Sequence, residues 1–320
     1  MNPPLRPLRV GEILDRTAAL YRTHFVLFAG IASVCAAATL LLGLADVALG
    51  ATLKALHVVA NDLLVTQLWQ WPSYAAMLIV GSVAEAANNR AVAWVYLGEP
   101  ATIAGAYRSI RGHVGRYLGI GTLKVLIGMV PFLIASSCSA LNMVYFQAKG
   151  VLPGPGEPVT QQTVSNPLFL EYGVIAAVIG LVYFPAAIYA VWMMLRYALA
   201  IPASVVEGLK ARASLKRSAT LGKGGRGGLF MLGLLYIFVA LILSVVTQGY
   251  FILYMMKHHY YLPVWMRVVM EVTRFFTSAV VLPIWSTGVT LFYFDQRVRK
   301  EGFDIEWMMR ERDGYLGYCS

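Results

Sequence analysis

Apolar and polar positions alternate on two scales along this chain. On the longer scale, apolar runs cover 25–45, 74–97, 117–146, 172–201, 229–256 and 265–294. Each is long enough to cross a hydrocarbon core of about 30 Å, which takes about 20 helical residues, so the pattern predicts six transmembrane helices. On the shorter scale, the stretches just ahead of the first, third and fifth runs carry helical periodicity. Val10, Ile13, Leu14, Thr17, Ala18 and Tyr21 share one face, with Glu12, Asp15, Arg16 and Arg22 on the other. Ile103, Ala106, Tyr107, Ile110 and Val114 lie opposite Arg108, Arg111 and Arg116, and the segment 207–228 leads through Lys216, Arg217 and Arg226 straight into the fifth run. Such faces predict amphipathic helices lying in the membrane interface. For the first of them, a cytoplasmic extension of the span that follows is the other reading.

The two scales combine into three units near 10–98, 99–206 and 207–296, each an in-plane helix followed by a hairpin of spans, with a tail over 297–320. Glu12…Arg22, Glu99…Arg108 and Glu207…Arg217 mark equivalent positions in the three. Leu49, Leu53, Leu56, Val59 and Leu63 predict a surface helix after the first span, and Trp69, Trp71 and Tyr74 fall where an aromatic belt would meet the second. Gly98, Glu99 and Pro100 end that span. Pro131 and Pro185 predict kinks in the third and fourth spans, and 149–167, rich in Pro and Gly with no apolar period, is a loop.

Composition narrows the class further. With 58% hydrophobic and 13% charged residues and a mean hydropathy of +0.65, a soluble fold could not hide its apolar surface. The net charge of +10 would suit a nucleic-acid partner, but most Lys and Arg residues flank the spans on one side when both termini are cytoplasmic. Insertion and anionic headgroups account for that skew, so the expected partners are membrane lipids or a partner protein, and no nucleic acid. MNPPLRPLR followed by an apolar run without an Ala-x-Ala-like site predicts no cleaved signal peptide. Cys35, Cys138 and Cys319 have neither disulfide-framework numbers nor metal-ligand spacing, and no metal or cofactor is expected.

Within the spans, Glu85 stands out because it lies near the middle of the second, where ionisable groups are costly and mark pathways or binding sites. Asn88 and Asn89 share its face, Arg90 follows, and Lys124 of the third span reaches a comparable depth. This cluster is either a site for an anionic headgroup or substrate, or a structural polar clamp between two spans. Arg267, Glu271 and Arg274 are spaced to pair along their own helix. Gly222–Gly228 follows no strand, and Lys223 precedes Gly rather than Ser or Thr, so it reads as a flexible joint and not a phosphate loop. His258 and His259 diverge on a helix, while His24, His57 and His113 are isolated. No residue is nominated as a nucleophile, and the chain is expected to be non-catalytic.

Three segments carry a resemblance. YFDQRVRKEGFDIEWM at 293–308, VGEILDRTAALYRTHF at 10–25 and VVEGLKARASLKRSATL at 205–221 resemble the glycerophosphoryl diester phosphodiesterase membrane domain family, bacterial six-span proteins. The resemblance spans nearly the whole chain. It implies an inner-membrane bundle that some relatives fuse to a soluble phosphodiesterase barrel; the barrel's His-Arg-Gly start and metal-binding carboxylates have no counterpart here, so the catalytic role is not carried over. The tail motif of Asp295, Arg297, Arg299, Glu301 and Asp304 also has physical content. Asp295–Arg299 and Arg297–Glu301 are i,i+4 pairs that extend the last span, and Gly302 stops it.

The expectation is an all-α polytopic integral membrane helical bundle with cytoplasmic termini. Lipid headgroups or a partner would meet its basic cytoplasmic face at Arg108, Arg111, Arg116, Lys216, Arg217 and Arg226. The competing expectation is a transporter or permease subunit with a polar path near Glu85, Asn88, Arg90 and Lys124.

Overall fold

The computed structural model describes residues 7–55, 62–152, 165–257 and 262–302. Leu56, His57, Val59, His258, His259, Asp304, Cys319 and most of the expected loop at 149–167 lie outside the described residues, as do the side chains of Leu53, Leu63, Trp69, Trp71 and Tyr74. Among the described residues every regular element is a helix. In order these are α1 (Val10–Thr23), α2 (Phe25–Ala55), α3 (Asp62–Tyr96), α4 (Ile103–Arg111), α5 (Val114–Lys124), a π-helical turn (Val125–Met129), α6 (Val130–Ala148), α7 (Pro167–Arg196), α8 (Ala200–Glu207), α9 (Ala211–Leu221), α10 (Arg226–Lys257) and α11 (Val264–Glu301).

Among the described residues five stretches are long and apolar enough to cross a membrane: Phe25–Thr52, Val114–Ala148, Pro167–Glu207, Arg226–Lys257 and Val264–Glu301. The second of the six expected spans is not among them. It lies within α3, which is long enough, but Glu85, Asn88, Asn89 and Arg90 crowd its last third and dilute its apolar character. The same helix packs against α2, α5, α8 and α11, so those polar groups face protein on several sides.

Burial separates the long helices. Of the most apolar window in Pro167–Glu207 only 6% is buried, and in Arg226–Lys257 11%, against 56% in Val264–Glu301. Leu170, Leu181, Phe184, Val246 and Leu253 are among the large apolar side chains left outward, as a lipid-facing surface requires. α11 is the hub, packed against α1, α2, α3 and α10. One core cluster joins Phe28 and Ile31 of α2 to Ala86, Ala87 and Ala91 of α3, Ile110 of α4 and Ile120 of α5. A second joins Leu8 and Ile13 to Leu199, Leu221, Leu229 and the Val289–Phe294 stretch of α11. Small side chains let the backbones close up: a Cβ on Gly121 of α5 would stand 3.0 Å from Ile79 Cα and 3.1 Å from Ile79 O of α3.

The expected kink at Pro131 takes a particular form. Proline cannot donate to the carbonyl four residues back and its ring crowds it; the π turn at Val125–Met129 immediately precedes α6, where Pro131 occupies the first turn. Wider i→i+5 bonding absorbs the defect without ending the helix. At Pro185, α7 continues to Arg196.

Three short helices, α1, α4 and α9, each precede a long one across a brief break. Their apolar faces are covered largely by protein. Ile13 and Thr17 of α1, Ala106 and Ile110 of α4, and Ser214, Leu215, Ser218 and Leu221 of α9 are buried, whereas Val10 and Ala18 are exposed. α8 ends at left-handed Gly208, and α9 folds back beside it; Ser204 and Ser214 both donate to Leu209 O, at 2.9 and 3.2 Å. Ser218 repairs the break between α7 and α8, donating to Arg196 O at 2.9 Å and accepting from Leu199 N at 3.1 Å.

Candidate functional site

The polar residues of α3 split between two neighbours. Asn88 Nδ2 donates to Ser286 Oγ of α11 at 2.6 Å. Thr290 Oγ1 already donates to Ser286 O at 2.8 Å, so it is free to accept from Asn89; with its amide nitrogen turned that way, Asn89 reaches Thr290 Oγ1 at 2.9 Å, Ser286 O at 3.1 Å and Glu85 O at 3.3 Å. Glu85 instead faces Lys124, with Oε2 3.9 Å from Nζ. Arg90 lies over the Trp94 ring at 5.9 Å. Glu85 Oε1, Asn88 Oδ1 and Arg90 Nε are buried without a hydrogen-bond partner among the described residues. Thus Glu85 and Lys124 come together, Asn88 and Asn89 belong to the α3–α11 seam, and Arg90 stacks apart from the ion pair.

At the end of the bundle carrying α1, α4 and α9, the basic residues fall into two groups. Arg108 and Arg111 of α4 and Lys216 of α9 are exposed, and Arg116 is half-buried. No carboxylate pairs with these four among the described residues. Arg217 is engaged. Its Nε donates to both Glu207 oxygens at 2.9 Å and its Nη2 to Glu301 Oε2 at 2.6 Å. Those bonds, from Glu301 first and Glu207 next, hold its guanidinium above the ordinary arginine range. Tyr293 Oη adds a second donor to Glu207, reaching Oε1 at 2.6 Å.

The tail motif is the other half of this lock. Arg297 Nε pairs with Glu301 at 3.1 Å and Arg299 Nε with Asp295 at 2.8 Å, the two i,i+4 pairs expected, and Gly302 ends α11 in the left-handed region at φ 64°. What the spacing did not show is where the motif reaches. Asp295 is buried and accepts from Leu8 N at 2.7 Å, Arg299 donates to Leu8 O, and Lys300 Nζ donates to Leu221 O at 2.7 Å and Lys223 O at 2.5 Å. The motif therefore ties the end of α11 to the segment before α1 and to the turn after α9. An open groove of about 530 Å³ remains between these parts, with Arg9, Lys223, Gly225, Gln296 and Arg299 in its lining. Tyr21 of α1 and Tyr107 of α4 anchor their helices by donating to Val280 O at 2.6 Å and Ile31 O at 2.7 Å. Burial pushes the Tyr21 phenol up to about 12 and that of Tyr107 upward as well.

Arg226, expected at the basic face, has two companions that the sequence reading did not single out. Arg196, the last residue of α7, holds its Cζ 5.4 Å from the Trp192 ring centroid, and Arg226, the first of α10, holds its own 5.7 Å from the same ring. The i,i+4 spacing of Trp192 and Arg196 at the end of an apolar run was the available signal.

Among the described residues no group of three or more His, Cys, Asp or Glu could hold a metal ion. What the basic end offers chemically is hydrogen-bond donation to anions. Comparisons with family models, curated proteins and solved structures found no match.

Proposed function

We propose that this chain is a non-catalytic membrane protein whose basic end lies at the cytoplasmic surface and binds anionic lipid headgroups. On this reading α3 is a sixth span whose polar last third is shielded from lipid by its neighbours, and α1, α4 and α9 lie along the interface, with both termini cytoplasmic because basic flanks are retained there. The supporting observation is the contrast in engagement. Arg217 is saturated by acids, while Arg108, Arg111 and Lys216 stand exposed with no carboxylate partner among the described residues. Unengaged cations beside a bilayer each gain about 1 kcal/mol from an anionic surface. Membership of the glycerophosphoryl diester phosphodiesterase membrane domain family and a bacterial inner-membrane location belong to the same proposal, supported by the three segments that resemble the family.

The test compares purified protein in micelles doped with phosphatidylglycerol or phosphatidylcholine. Phosphatidylglycerol should raise the melting temperature more, and Arg108→Gln/Arg111→Gln/Lys216→Gln should remove part of that difference. Equal stabilisation by the two lipids rejects the reading.

A second reading, a transporter or permease subunit with a path near Glu85, Arg90 and Lys124, draws on the buried, unpartnered Glu85 Oε1 and Arg90 Nε. Proteoliposome flux of candidate anions that is unchanged in Glu85→Gln and Lys124→Met would dispose of it.

A further inference from the structure

We propose that Arg196, Trp192 and Arg226 form a defined binding site for the phosphate of an anionic phospholipid, on the rim of the bundle between α7 and α10. The inference rests on the lipid-binding reading above and names a place for it that the exposed cations do not.

Two guanidinium groups lie against one indole ring, at 5.4 and 5.7 Å, and Arg196 also lies 5.7 Å from the Tyr197 ring. Each Nε is buried and has no hydrogen-bond partner, and neither arginine pairs with a carboxylate among the described residues. Cation–π contact favours each arginine singly, but it does not neutralise two like charges gathered on one ring, and it uses no N–H donor. An arginine fork suits phosphate bidentately. The contrast with Arg217 is instructive, since that guanidinium, at the same end of the molecule, has every arm on an acid.

Position selects a lipid over a soluble anion. Trp192 is 43% exposed and lies on the long helix with the least buried window, so its neighbourhood opens toward acyl chains. Ile188 and Val191 on α7, and Phe230 and Leu234 on α10, are exposed along the two helices below the arginines. Trp is itself favoured at headgroup depth. Arg226 also begins a 32-residue helix, whose N-terminal N–H groups and dipole favour negative charge. A phosphate at the arginines with its chains along this apolar surface meets all these features at once; a free phosphate would leave the apolar surface uncovered.

The experiment is native mass spectrometry of detergent-purified full-length protein titrated with phosphatidylglycerol, phosphatidylcholine or inorganic phosphate. Wild type should hold one phosphatidylglycerol most tightly, and Arg196→Gln/Arg226→Gln should weaken that first site about tenfold or more. Arg108→Gln/Arg111→Gln/Lys216→Gln should leave the first site occupied and reduce later ones. Arg196→Lys/Arg226→Lys keeps the charge without the fork and should fall between; it also serves if the glutamine pair fails to fold. Retention of wild-type affinity by both the glutamine and the lysine pairs overturns this site. Displacement by millimolar inorganic phosphate overturns the lipid assignment. Absence of any phosphatidylglycerol preference in wild type instead overturns the broader reading, so the two failures are distinct.

Discussion

Glu207 and Glu85 are carboxylates of nearly equal side-chain exposure, 18% and 20%, each facing a basic residue on another helix. Their surroundings differ in every bond. Glu207 accepts from Arg217 at 2.9 Å on both oxygens and from Tyr293 at 2.6 Å, with Arg297 3.9 Å away. Glu85 has, among the described residues, a single cation at 3.9 Å and one buried oxygen without a partner. Burial is therefore not what distinguishes a lock from a liability here; the number of satisfied lone pairs is. A carboxylate with its donors in place can offset the loss of water, whereas a loosely paired one does not recover that cost.

The largest effect should follow from opening the lock. Glu207→Ala leaves Arg217 and Arg297 short of a counter-charge and the fully buried Tyr293 hydroxyl without its acceptor. Loss of one partner of a buried pair costs about 3–5 kcal/mol; Glu301 still holds Arg217, so the lower end is expected. Thermal or denaturant unfolding in detergent reads it, and a loss under about 1 kcal/mol would place Glu207 in the same class as Glu85. Next in size is Asp295→Asn. The amide can still accept from Leu8 N but loses the charge opposite Arg299, for a cost of about 2 kcal/mol. Release of the segment before α1 should appear as faster proteolysis near Leu8.

Much of this was legible in the chain, and the boundary is physical. Periodicity and i,i+4 spacing are local, so the long helices, the Asp295–Arg299 and Arg297–Glu301 pairs and the Gly302 stop could be read directly. Gly302→Ala tests that stop: at φ 64° a side chain costs about 1 kcal/mol, visible as a small drop in melting temperature. The partners of Asn88 and Asn89 could not be read, because Ser286 and Thr290 lie some two hundred positions away. Sharing a helix face with Glu85 suggested a single cluster, but a helix face wide enough for three residues meets two neighbours in a bundle. The polar dilution of α3 was visible too; its central place, which makes the dilution tolerable, depends on contacts with α2, α5, α8 and α11.

The smallest expected change in stability sharpens the comparison most. Replacing both members of the loose pair, Glu85→Leu with Lys124→Met, removes two desolvated charges together and one unsatisfied oxygen. Buried pairs exchanged for apolar residues of similar volume are often neutral or more stable by about 1–4 kcal/mol, so unfolding should be unchanged or slightly harder. The matching replacement at the lock, Glu207→Leu with Arg217→Met, should be clearly destabilising, since Tyr293, Arg297 and Glu301 would each lose a partner. Opposite signs for the two double variants would mean that Glu85 and Lys124 are kept in α3 and α5 for something other than holding the bundle together. If the Glu85/Lys124 replacement proves as damaging as the other, the pair is a second lock, and its 3.9 Å separation does not reflect a weak bond.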